Sequence, residues 1–92
     1  MIGESAVWAL AFSKAAAKDA KNLSAAGLKA KTQALLNMLR TNPWQSPPPY
    51  EKLVGELAGT YSRRINLQHR LVYRVDETAK QIDVLHMWTH YE

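Results

Sequence analysis

Ninety-two residues, 47% of them hydrophobic and 22% charged, suffice for one small core, are too few for two, and are too apolar for a disordered tail. Twelve Lys and Arg against eight Asp and Glu leave a net charge of +4, and the absence of cysteine excludes a disulfide framework and a thiolate zinc site. The longest apolar run, Ala6 to Phe12, has seven residues where a membrane span needs roughly 20, and the start Met1-Ile2-Gly3-Glu4 lacks the basic region that opens a signal peptide. The expectation is one soluble, basic, cytoplasmic domain spanning residues 1–92.

Ser5 to Phe12 alternates loosely, with Trp8, Leu10 and Phe12 on one parity, and reads as a first strand. Ser13 can cap an alanine-rich helix from Lys14 to about Leu23. Ser24 can cap a second helix from about Ala25 to Arg40, with Leu28, Leu35, Leu36 and Leu39 on its apolar stripe and Lys29 and Lys31 facing outward. Asn42-Pro43 ends it, because proline lacks a donor and restricts the residue before it. Trp44 to Tyr50, with Pro47, Pro48 and Pro49, reads as a stiff loop. Gly59 then opens a strand over Thr60–Ile65. A tight turn over Asn66–His69, a strand over Arg70–Val75, a loop over Asp76–Lys80 and a strand over Gln81–Trp88 follow. The predicted architecture is α+β: two N-terminal helices packed on one face of a small antiparallel β-sheet.

Charge is unevenly placed. Residues 1–46 hold six basic and two acidic side chains, and residues 47–92 hold six of each. Yet Leu57 to Val75 contains Arg63, Arg64, Arg70 and Arg74 and no acid. Arginine forks fit phosphate, so the window suits a phosphate-rich partner; it reads equally as a solvated strand face. A three-residue loop at Asn66-Leu67-Gln68 places Arg64 opposite Arg70 on one face, and a two-residue loop separates them.

Little conventional chemistry is available. His86 and His90, four apart on a strand, would stand about 13 Å apart, too far to share one ion. His86 shares strand parity with Ile82, Val84 and Trp88, which places it in packing beneath the site, and Trp8, Trp44 and Trp88 read as core or core-edge packing rather than as base-stacking platforms. No serine elbow of the Gly-x-Ser-x-Gly type occurs, and the four glycines form no phosphate cradle. Neither a metal nor another cofactor is expected. A carboxylate, an arginine and a histidine suffice for metal-free RNA cleavage, and Glu51, Arg70 and the terminal His90-Tyr91 supply that set. Spacing alone does not single them out. Glu51 reads also as a surface residue near a turn, Arg70 as a partner of Glu56 or Asp83, and His90 and Tyr91 as terminal residues.

The stretch Leu57-Ala58-Gly59-Thr60-Tyr61-Ser62-Arg63-Arg64-Ile65, followed by His69-Arg70-Leu71-Val72-Tyr73, resembles the Txe/YoeB family of bacterial toxins, a branch of the RelE-like toxins. Thr89-His90-Tyr91 is similar to that family's terminal His-Tyr, and Asn42-Pro43-Trp44 to its helix-ending step. Glu51 and Leu53 fall where its Pro-Glu-Pro-Leu segment would place them. The resemblance covers residues 42–91 well and the helices in outline. It implies a small sheet with two N-terminal helices and an mRNA interferase that enters the ribosomal A site and cuts the message there. It also implies a cognate antitoxin of the YefM/Phd kind that wraps and blocks the toxin.

Carried over by residue, Glu51 would be the general base, Arg70 the phosphate stabiliser, His90 the general acid, and Tyr91 a positioner of substrate or histidine. Arg63 and Arg64 would hold RNA backbone, with Arg64 nearer the active face, and Lys52 and Arg74 complete the expected RNA-binding set. The chain departs from the family pattern at Pro47-Pro48-Pro49-Tyr50, where members often carry glycine, and at Lys52, where a proline is usual. Val54 stands where lysine is common, and Glu92 adds a carboxylate beside His90. The expected partners are the antitoxin, the ribosome and mRNA, with no membrane; homodimerisation stays open. Two other readings stand beside this one: a RelE/ParE-fold toxin acting on DNA gyrase, and a non-catalytic RNA-binding regulator of translation.

Overall fold

The computed structural model describes residues 8–89. Strand β1 (Ala9–Phe12) leads into helices α1 (Lys14–Ala25) and α2 (Lys29–Thr41). Strand β2 (Glu51–Lys52), one turn of 3-10 helix (Gly55–Leu57), and strands β3 (Tyr61–Arg64), β4 (Arg70–Asp76) and β5 (Gln81–Thr89) follow. The five strands form one sheet in the order β1-β5-β4-β3-β2. β2 to β5 pair antiparallel, whereas β1 runs parallel to β5. The sheet is therefore mixed rather than wholly antiparallel; strand patterning identifies β1 but carries no information on which edge it joins.

Ser13 starts α1 as expected: its backbone is extended, and its hydroxyl accepts from Ala16 N at 3.0 Å. The helix then runs past Ser24, which is no cap. It stops at a Schellman turn, in which Leu28 N donates to Leu23 O at 2.8 Å and Gly27 N to Ser24 O at 3.1 Å. Gly27 holds φ at +78°, a conformation that costs an L side chain about 1–2 kcal/mol. Nothing lies within 4 Å of where its Cβ would stand. Gly27→Ala is therefore expected to lower stability by about 1 kcal/mol through the backbone alone, as read by chemical denaturation; an unchanged midpoint would contradict the turn.

Thr32, Leu35, Leu36 and Leu39 form the buried face of α2, and Asn42, extended at the C-cap, ends it before Pro43. The core lies between the helices and one face of the sheet. Leu23, Leu39, Leu71, Tyr73, Ile82, Val84 and Met87 are each 1% exposed or less within it, and Trp8 closes one end under the Lys80 ammonium, 4.8 Å from its ring.

A bulge in β5 decides what the opposite face carries. Tyr73 pairs with Val84 but Val72 pairs with His86, leaving Leu85 as an extra residue. Ile82, Val84 and Met87 all face the helices as a result, while His86 turns to the other face, across from Val72. The parity expected for His86 fails at this one residue. Beyond the end of β1, side chains satisfy the edge of β5. Ser13 Oγ donates to Leu85 O at 2.7 Å, and Asp19 Oδ2 accepts from Met87 N at 3.0 Å and Trp88 N at 3.3 Å.

Candidate active site

The face of the sheet away from the helices carries the chemistry. β3 and β4 meet with Arg64 opposite Arg70 and Ser62 opposite Val72, the parity of a three-residue loop. Asn66 makes this tight turn, its Oδ1 accepting from Gln68 N at 2.8 Å and His69 N at 2.7 Å. β2, unforeseen directly after the proline-rich loop, pairs Glu51 with Ser62. Residues in register share a face, so Glu51, Ser62, Arg64 and Arg70 come together there.

Glu51 Oε1 and Arg70 Nη1 stand 2.9 Å apart, an ion pair lining a cleft of about 420 Å³. Pro48, Pro49, Ser62 and Arg64 complete its lining. Two arginines against one carboxylate leave the cleft positive, and Glu51 is open to solvent while Arg70 is mostly covered. The partner of Arg70 is thus Glu51, not Glu56 or Asp83; Asp83 lies across from Arg74 and accepts from Gln81 Nε2 at 2.7 Å. Thr89, the last described residue, is the register partner of Arg70. His90 and Tyr91 lie outside the described residues.

The other expected contacts divide. Arg74 is exposed on the same face but roughly 13 Å along β4 from Arg70, opposite an acid and outside the cleft. Lys52 is exposed and pairs with Tyr61, on the opposite side of β2 from Glu51. Neither lines the cleft.

Arg63 departs furthest from expectation. Alternation turns it to the helix side with Tyr61 and Ile65, where it is 1% exposed. Its Nε donates to Tyr73 Oη at 2.9 Å, Nη2 to Pro43 O at 2.9 Å, and Nη1 to Pro48 O. Its guanidinium carbon lies 4.7 Å from the centre of the Tyr50 ring. A fork so engaged presents nothing to an RNA backbone. Burial pushes the Tyr73 phenol above its usual pKa, opposed by the hydrogen bond and charge of Arg63.

Around Arg63, Trp44, Tyr50 and Tyr61 form an edge-packed cluster. Ring centres are 5.2 Å apart for Trp44–Tyr61 and 5.8 Å for Tyr50–Tyr61. Trp88 stacks on buried His69 at 3.7 Å. All three tryptophans are thus in packing. Sequence reasoning missed Ser62 and the walls formed by Pro48 and Pro49. Ser62 was in reach, since it is the residue that shares parity with Arg64. Among the described residues no group of three or more His, Asp or Glu side chains could hold a metal ion, and no helix is long and apolar enough to cross a membrane.

The fold is shared with solved bacterial toxins. A YoeB/ParE toxin from Agrobacterium tumefaciens superposes with a TM-score of 0.81 at 28% identity, covering 90% of this chain and 99% of that one. The Staphylococcus aureus YoeB–YefM toxin–antitoxin complex, a heterotetramer, contains a chain with a TM-score of 0.75 at 34% identity, covering 91% and 98%. These likenesses define the class: a small α+β toxin of the YoeB/RelE kind. Residues 12–91 match the model of the YoeB-like toxins of bacterial type II toxin–antitoxin systems, and the chain belongs to that family. Toxin YoeB of Mycobacterium bovis is 37% identical over 57 residues, 62% of this chain and 65% of that protein, so the match spans just under two thirds of the curated relative.

Proposed function

We propose that this protein is the toxin of a type II toxin–antitoxin pair and a ribosome-dependent endoribonuclease that cuts mRNA in the A site. The Glu51–Arg70 pair at 2.9 Å in a positive cleft is the observation that carries the reading. Glu51, solvent-open and aimed at the cleft, removes the proton from a ribose 2′-hydroxyl. The 2′-oxygen then bonds to the adjacent phosphorus, and the bond from phosphorus to the 5′-oxygen breaks. Arg70 turns its fork from Glu51 to the non-bridging oxygens and stabilises the charge that gathers there. His90, which follows Thr89 in the sequence, protonates the departing 5′-oxygen, and Tyr91 orients substrate or histidine. The products are a 2′,3′-cyclic phosphate and a 5′-hydroxyl. Arg64 holds a flanking phosphate.

The relatives' complex supports a cognate antitoxin of the YefM/Phd kind as partner. An acidic, apolar segment suits the cleft by charge and would order on binding. A gyrase-directed toxin of the same fold would have no use for the Glu51–Arg70 pair, and a non-catalytic RNA binder would need Arg64 and Arg70 without Glu51. A purified translation system programmed with one message, read by primer extension, separates them. A discrete A-site cut that requires ribosomes is expected; no cut from folded protein, with or without ribosomes, would overturn the nuclease reading.

A further inference from the structure

We infer that Arg63 is a positioning residue for this site: its buried guanidinium ties both ends of the Pro43–Tyr50 segment to the sheet and so sets where Glu51 stands. The inference rests on the reading of Glu51 as the base.

The segment makes few hydrogen bonds of its own: Trp44 N and Gln45 N donate back to Asn42, and Gln45 Nε2 to Pro47 O. Pro43, Pro47, Pro48 and Pro49 have no N–H to donate, so the segment is anchored mainly through its carbonyls. The β2 strand it leads into is two residues long, too short to fix its own register. Arg63 supplies the missing donors in one plane. Nη2 reaches Pro43 O, just past the end of α2, and Nη1 reaches Pro48 O, three residues before Glu51. Nε anchors the group to Tyr73 Oη in the centre of the sheet. Tyr50, the residue before Glu51, lies over the guanidinium and packs edge-on against Tyr61.

No other side chain has this geometry: lysine offers a single point donor that cannot bridge two carbonyls in a fixed plane. The arrangement is also costly. Among the described residues no carboxylate pairs with the buried charge, so its neutral partners must offset the desolvation. The adjacent Arg64, on the opposite face, is left for substrate. Two neighbouring arginines thus act on one site from two sides, one setting the base and one holding phosphate.

The test uses Arg63→Lys, Arg63→Met and, as a milder change, Tyr73→Phe, which removes one acceptor and leaves the ring. Cleavage on programmed ribosomes gives kcat and KM, and NMR reports the backbone amide of Glu51 and the Nε–H of Arg70. In Arg63→Met, kcat is expected to fall about 10²-fold, the scale of a 1 Å misplacement, with KM within about threefold because Arg63 touches no substrate. Arg63→Lys should not rescue it, and Tyr73→Phe should fall between. The Glu51 and Arg70 signals should move while those of Ala9 and Leu10, at the far edge, stay. A raised KM at unchanged kcat would make Arg63 an RNA contact and overturn the proposal, as would full rescue by lysine. Should the natural protein cut no message, the NMR comparison still decides: unmoved Glu51 and Arg70 signals in folded Tyr73→Phe and Arg63→Met would overturn the positioning.

Discussion

Glu51→Gln is expected to slow message cleavage by about 10²–10⁴-fold, the usual contribution of a proton-transfer group, while the fold is retained. The amide oxygen can still accept from the Arg70 guanidinium, so the hydrogen bond at 2.9 Å can persist although the ion pair is lost. What is lost is the lone pair basic enough to take the 2′-hydroxyl proton. Glu51 is mostly exposed and on a two-residue strand, so little packing is disturbed. Single-turnover cleavage on programmed ribosomes reads the effect. A rate within threefold of the natural protein's would remove Glu51 from the reaction and leave the base to be sought elsewhere.

Arg70→Ala is expected to cost about 10²–10³-fold in the same assay, the scale of losing one preorganised donor to a developing oxyanion. Arg70→Lys should recover only part of this, because a point charge cannot grip two phosphate oxygens as a planar fork does. The two losses should not add. Glu51 and Arg70 are in direct contact, and residues that act as a unit overlap in what they contribute. The Glu51→Gln, Arg70→Ala double variant should therefore be little slower than the slower single variant. A double variant showing the full product of both losses would mean that the pair works at separate steps.

Much of the sheet was legible because its strands repeat every two residues with clear turn residues between them. Arg70 to Val75 is rich in β formers, and the Asn66 turn, which supplies its own side-chain acceptor, selects the three-residue loop of the two that the sequence left open and so pairs Arg64 with Arg70. The same alternation shows why Arg63 and Arg64 could not share a role. Neighbours on a strand face opposite ways, and Arg63 shares parity with Tyr61 and Ile65, both apolar and both turned to the core. That signal was present, but a charged side chain among apolar ones invites an outward reading.

Other features left no mark. The bulge at Leu85 shifts the parity of His86 and Met87, a second irregularity shifts it again before Thr89, and nothing in Val84-Leu85-His86-Met87 distinguishes an extra residue from regular alternation. The boundary between the helices was misplaced because Ser24 is an acceptable cap until the Schellman bonds around Gly27 are seen. Glu51 was recognised through family likeness rather than through its strand, since prolines on its N-terminal side conceal a β2 that forms by pairing with Ser62 and Tyr61.

The chemical form of the cut ends tests the central claim most directly. Message cleaved on ribosomes by the natural protein would be recovered and its new termini identified by mass spectrometry. Attack by the 2′-oxygen, driven by Glu51 and stabilised by Arg70, predicts a 2′,3′-cyclic phosphate or its 3′-phosphate hydrolysis product on one fragment and a 5′-hydroxyl on the other. A 3′-hydroxyl paired with a 5′-phosphate would mean that water, not the ribose, attacks the phosphorus, and would contradict the account.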